Sequence, residues 1–101
     1  KKPGSVFNIV CGNDETAAAL ITGCEEVDIR VPDQMRIVGF DDIHYSQMLR
    51  VPLTTIHQPV QHLGDMALET MLWRTEHPQA PPKTISASAE LIIRDSCGFP
   101  D

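Results

Sequence analysis

The chain has 101 residues, 42% of them apolar, and carries a net charge of −6 from fourteen acidic and eight basic side chains. That length allows at most one domain, one that buries roughly 60–70% of its unfolded surface. The basic residues (Lys1, Lys2, Arg30, Arg36, Arg50, Arg74, Lys83, Arg94) are scattered, and phosphate-backbone affinity needs gathered positive charge, so this chain alone is not expected to bind nucleic acid.

Residues 6–10, Val-Phe-Asn-Ile-Val, are a β-rich run bounded by Gly4-Ser5 and Gly12. Asn13 or Asp14 is placed to cap a helix whose apolar positions Ala17, Leu20, Ile21, Cys24 and Val27 keep helical spacing. The usual helix-ending glycine is missing, and Asp28 stands where a turn residue is needed. Arg30-Val31-Pro32-Asp33 returns the chain to a second strand, Arg36-Ile37-Val38-Gly39-Phe40-Asp41-Asp42. Strand, helix and strand within about 30 residues is the size of a βαβ unit. The second strand reads as buried, and both strands end in short hydrogen-bonding side chains. In open α/β sheets ligands bind at the carboxyl ends of strands, so these ends predict one binding edge.

An irregular stretch, residues 43–52, holds Tyr45, Met48 and Leu49, and a third extended run covers 53–57. Pro59 suits the first position of a second helix, whose apolar residues Val60, Leu63, Ala67, Leu68, Met71 and Leu72 run to about Trp73. A proline-rich turn at 77–82 leads to a last strand at about 84–93 and a polar tail from Arg94. Cys11, Cys24 and Cys97 are odd in number with no CxxC pair, and the first two read as buried hydrophobes suited to a reducing compartment. No apolar run approaches the ~18 residues of a membrane span, and no signal peptide is expected. The start, Lys1-Lys2-Pro3-Gly4 with a strand almost at once, reads as a cut from something longer.

Five motifs then occur in order: Asn13-Asp14-Glu15, Arg30-Val31-Pro32, Val38-Gly39-Phe40-Asp41-Asp42, Pro52-Leu53-Thr54-Thr55-Ile56-His57-Gln58-Pro59 and Leu63-Gly64. With them the chain resembles, over residues 5–98, the C-terminal part of the LacI/GalR-type bacterial transcription regulators. More broadly it is similar to the type I periplasmic sugar-binding fold. The resemblance implies an α/β fold: a partial three-layer doubly wound sheet of the periplasmic-binding-protein-like class I type, mostly the C-terminal lobe plus one helix of the N-terminal lobe. Residues 1–101 would be one fragment of a single effector-binding domain, without the DNA-binding headpiece. It also implies a small effector, a sugar or sugar derivative, bound between lobes, a homodimer, and operator DNA contacted only through the absent headpiece. A bacterial cytoplasmic location follows from the same reading. The alternative is a fragment of a periplasmic sugar-binding protein. The apolar stripe of the second helix would then lack its partner, and exchange of elements with a second copy is one way to cover it.

Asp41 leads the candidate ligand contacts: the resemblance makes it the acceptor for ligand hydroxyls, and an ionised carboxylate offers two strong acceptor oxygens. Asp42 is expected to cap or stiffen the loop that follows. Asn13 can donate and accept together, but an N-cap role competes for its oxygen; with Asp14 as the cap, Asn13 is left to face the cleft. Gln58 sits by the expected lobe crossing, with a surface role as its alternative. Phe40 is placed either to wall the cleft or to fill the core. Tyr45, Met48 and Leu49, with Ala17 and Leu20 on the first helix, match the region where the family dimerises; local packing is the other reading. His44, His57, His62 and His77 share no metal-ligand spacing, so no metal is expected. No GxSxG, phosphate-loop or Cys/His signature is present, and adjacent strand residues point to opposite faces, so neither catalysis nor a cofactor is expected.

Overall fold

The computed structural model describes residues 5–99; the Lys1-Lys2-Pro3-Gly4 segment and the end of the polar tail lie outside the described residues. The chain divides into two compact units, one formed by residues up to His57 together with those from Glu90, the other by Gln58–Ala89.

In the first unit, β1 (Phe7–Val10) and β2 (Met35–Val38) pair in parallel, Phe7 against Met35 through Val10 against Val38, with α1 (Asp14–Glu26) between them in sequence. The ladder continues past β2 onto β3 (Thr55–His57) through parallel bridges Val38–Thr54 and Asp41–His57. Gly39 N–H donates to Thr54 O (2.9 Å) and Asp41 N–H to Ile56 O (3.0 Å). β3 then pairs antiparallel with β4 (Glu90–Ile92). The expected βαβ unit is present. The last strand is much shorter than the ten residues its composition suggests, because the three residues of β3 are all that face it.

The core lies between α1 and the sheet. Cys11, Ala17, Ile21, Cys24, Ile37 and Leu53 are buried, with Leu20, Ile29, Val31, Met35, Leu49 and Val51 packed around them. Fully burying a side chain such as Ile37 or Leu53 contributes about 1.5–3 kcal/mol. Burial pushes the Cys11 and Cys24 thiols up, which suits small hydrophobes rather than nucleophiles. β1 is largely open: Phe7 is 48% and Val10 80% exposed.

Both ends of α1 are closed by short polar residues. Asn13 is extended (φ −156°, ψ 168°) and its Oδ1 accepts from Thr16 N–H at 2.8 Å, a side-chain N-cap. At the other end Asp28 takes φ 59°, while Ile29 N–H donates to Cys24 O (2.8 Å) and Asp28 N–H to Glu25 O (3.3 Å). This is a Schellman closure with aspartate in the left-handed position usually held by glycine. Val27 falls at this cap and is 65% exposed, so the apolar stripe ends one turn earlier than its spacing suggests.

The second unit is α2 (Val60–Glu76) and its return segment. Pro59 directly precedes the helix, one position ahead of the expected one. No residue of α2 is buried, and Val60, Leu68, Met71 and Leu72 are all more than half exposed. Its C-terminal turn is organised by Trp73, which stacks on His77 (centroids 4.1 Å apart) and lies 4.6 Å from Lys83 Nζ. No helix among the described residues is long and apolar enough to cross a membrane.

Candidate functional site

Pairing of Val10 with Val38 sets the C-terminal ends of β1 and β2 side by side, and Cys11 N–H extends the ladder by donating to Val38 O at 2.8 Å. The chain then turns at Gly12-Asn13 on one strand and at Phe40-Asp41-Asp42 on the other. Three aspartates gather on this edge, and the structure gives each a different role.

Asp14 is wholly buried. Its Oδ1 accepts from Thr55 Oγ1 (2.6 Å), and its Oδ2 accepts from Ile43 N–H (3.0 Å) and from the Ser46 hydroxyl. One carboxyl group thus ties the start of α1 to β3 and to the loop after Asp42. Thr55 Oγ1 passes the connection on by accepting from Asp42 N–H at 3.2 Å. Gly39 is required by this arrangement. A Cβ there would overlap Asp14 Oδ1 and come within 2.9 Å of Leu53 Cδ2. Of the two caps the sequence leaves open, Asn13 is the one used, and Asp14, one residue later, locks the loops.

Asp42 is half-buried and paired twice. Arg94 Nη2 lies 2.9 Å from Oδ1 and His57 Nδ1 lies 3.0 Å from Oδ2. Burial pushes the Asp42 pKa up, but the hydrogen bonds from Arg94 and His57, with their charges, outweigh it and hold the carboxyl below its usual range. Arg94 is itself anchored, through Nη1 to Leu53 O (2.9 Å) and through its backbone N–H to Thr54 Oγ1 (2.8 Å).

Asp41 directly precedes Asp42 and bridges to His57 of β3. Its backbone takes φ 120° and that of Asp42 takes φ 54°, so the pair forms a left-handed kink rather than the end of a regular strand. The alternation of faces expected for adjacent strand residues does not apply here. Asp41 is half-buried, and Asn13 is exposed on the neighbouring turn with its oxygen committed to the cap. Phe40 is 38% exposed, at the edge rather than in the core. Gln58 is half-buried and belongs to the second unit.

Of the residues assigned to a dimer face, Tyr45 (38%) and Met48 (64%) are exposed on a 3-10 turn, His44–Met48. Leu20 and Leu49 are half-buried and pack on the core. Ala17 is 0% exposed, so it cannot reach a partner. Its place in the helical period is the inward one, beside Ile21 and Cys24. Sequence reasoning missed the structural roles of Asp14, His57, Arg94 and Ser96. Ser96 is buried and bridges two strands, accepting from Thr54 N–H (2.8 Å) and donating to Ile37 O (2.6 Å). A polar residue after a short strand carries no mark of such a role.

Comparison with known proteins follows this geometry. The model of the periplasmic binding protein-like domain matches residues 3–97. The HTH-type transcriptional repressor PurR of Mannheimia succiniciproducens is 40% identical over 95 residues, which is 94% of this chain and 28% of that protein. PurR of Photobacterium profundum is 37% identical over 95 residues, with the same coverage. The chain therefore spans under a third of the length of these relatives. Among solved structures, a LacI family regulator from Enterococcus faecium with bound ribose superposes with a TM-score of 0.76 at 29% identity, over 89% of this chain and 34% of the other. The lac repressor dimer bound to operator and the anti-inducer ONPF gives a TM-score of 0.81 at 26% identity, over 90% and 27%. The chain belongs to the periplasmic binding protein-like domain family and, within it, corresponds to part of the effector-binding domain of LacI/GalR-type transcription regulators.

Proposed function

We propose that this chain is the ligand-sensing part of a LacI-type transcriptional regulator and that Asp41 contacts a small effector, a sugar or sugar derivative. The observation that carries the reading is the strand-end edge itself. Asp14 has three donors, and Asp42 is paired with Arg94 and His57, so both carboxyl groups serve the frame. Asp41 directly precedes Asp42, just past the carboxyl end of β2, where α/β sheets take their ligands. A carboxylate there accepts from two ligand hydroxyls. Bound ribose and bound sucrose in LacI family neighbours favour a sugar.

Asn13 contributes through its amide N–H groups, its oxygen being taken by the cap, and Phe40 provides an apolar edge for the face of a ring. Gln58 is assigned a further polar contact. Tyr45 and Met48 form the exposed part of a homodimer face, as befits a family whose lac repressor is a dimer bound to operator. Operator DNA is contacted by a headpiece outside this chain, the protein acts in the bacterial cytoplasm, and no reaction is catalysed. The effector works by preferring one arrangement of the domain, and its differential affinity sets how far operator binding shifts.

The test is operator binding by fluorescence anisotropy with the full-length regulator. Asp41→Ala keeps wild-type operator affinity and loses the response to the effector. An Asp41→Ala protein that still responds at wild-type effector concentrations refutes the assignment.

A further inference from the structure

The Asp41-Asp42 kink is tied to its surroundings through Asp42. Backbone conformations with φ of 120° and 54° cost of order 1–3 kcal/mol for a residue that does not tolerate them, and they persist only where the surroundings fix them. Among the fixing groups are Asp42's two side-chain partners, His57 and Arg94. His57 is the last residue of the first unit before the chain leaves for the second, and it pairs with Glu90, the first residue on return. Arg94 lies just past β4 on the returning segment. Asp42 thus grips the outgoing strand at 3.0 Å and the incoming one at 2.9 Å, while its own N–H is bonded to Thr55 on the outgoing strand.

We propose that Asp42 is the positioning residue of the effector site: acting through His57 and Arg94, it holds the Asp41 kink against both strands that connect the two units. This rests on the reading that Asp41 meets the effector. Ligand occupancy and the crossing strands are then linked by one side chain. When Asp42 loses its charge the kink relaxes, Asp41 moves, and the crossing strands no longer follow it. Arg94 supplies a permanent planar cation whose guanidinium is already fixed to Leu53 O. Lysine would keep the charge and lose this second bond.

The experiment uses the full-length regulator and two readouts. Residue-resolved hydrogen exchange follows the Asp41 amide, bonded to Ile56 O, against the Gly39 amide, bonded to Thr54 O one step back along the same ladder. Calorimetric titration uses ribose, glucose and sucrose as probes. Asp42→Asn is expected to speed exchange at Asp41 about tenfold while leaving Gly39 unchanged, because the ion pair with Arg94 is reduced to an ion–dipole contact. It weakens whichever probe the wild type binds by about the same factor. Asp42→Gly, which tolerates positive φ but cannot grip, behaves like Asp42→Asn, and Arg94→Lys shifts both readouts the same way by less.

Unchanged exchange at Asp41 in Asp42→Asn overturns the proposal. So does an equal rise at Gly39 and Asp41, the mark of general loosening, and so does wild-type behaviour of Asp42→Gly. If Asp41 exchange responds as expected and none of the three sugars binds the wild type, the positioning role stands and the sugar reading fails.

Discussion

Replacing Asp14 tests the division of labour among the three aspartates. Asp14→Ala removes the acceptor for three donors at once: Thr55 Oγ1, Ile43 N–H and the Ser46 hydroxyl. Thr55 and Ser46 are fully buried, so water cannot replace the lost partner for either hydroxyl. A buried donor left unsatisfied costs about 1–3 kcal/mol, and the half-buried Ile43 amide less, which brings the loss to about 3–5 kcal/mol. Stabilities of domains lie at about 5–15 kcal/mol, so the variant is severely weakened. Asp14→Asn is milder. Its oxygen can serve Ile43 and Ser46 while its NH2 group faces Thr55, whose hydroxyl turns to accept, and about 1–2 kcal/mol is lost. Urea unfolding of the full-length regulator, followed by circular dichroism and by fluorescence of Trp73, measures both values. An Asp14→Ala protein within 1 kcal/mol of wild type that has lost effector binding would make Asp14 the ligand contact and refute the assignment.

Gly39→Ala should cost at least about 2 kcal/mol, since its Cβ would press on Asp14 and Leu53, both fully buried; an unchanged urea midpoint would show that the neighbours give way freely. Asp42 has a depressed pKa in the folded state, so its contribution is present above the unfolded value of about 3.9 and is lost as pH falls through the folded value. Arg94→Met raises the Asp42 pKa and should move the acid unfolding transition to higher pH, and superimposable transitions for the two proteins would contradict this. Asn13→Ala removes the cap of α1 and should cost about 1 kcal/mol, whereas Asn13→Ser keeps the cap and removes only the amide. Effector affinity that falls in Asn13→Ser at unchanged stability supports ligand contact by Asn13, and affinity that tracks stability in both variants limits it to the cap.

The βαβ unit was legible because hydrophobic period and turn residues agree there, from Phe7 through the helix to Val38. The cap was half legible. Asn13 and Asp14 are both good caps, and the choice depends on which backbone is extended, a tertiary outcome of Asp14 being drawn under Thr55 and Ile43. The kink was hidden because Gly39-Phe40-Asp41-Asp42 reads as a strand running into a turn, and positive φ at two successive aspartates has no sequence mark. The partners of Asp42 lie 15 and 52 residues away, beyond the reach of local patterns. The exposure of α2 and of β1 follows from which elements face them, and periodicity reports only which side is apolar.

The most direct test of the central claim is the structure of the effector complex of the full-length regulator. The account predicts the Asp41 carboxylate within hydrogen-bond distance, about 2.5–3.0 Å, of ligand hydroxyls, with the pairs of Asp42 to Arg94 and His57 intact. A ligand bound to Asp42 with those pairs broken, or seated away from the ends of β1 and β2, would contradict it.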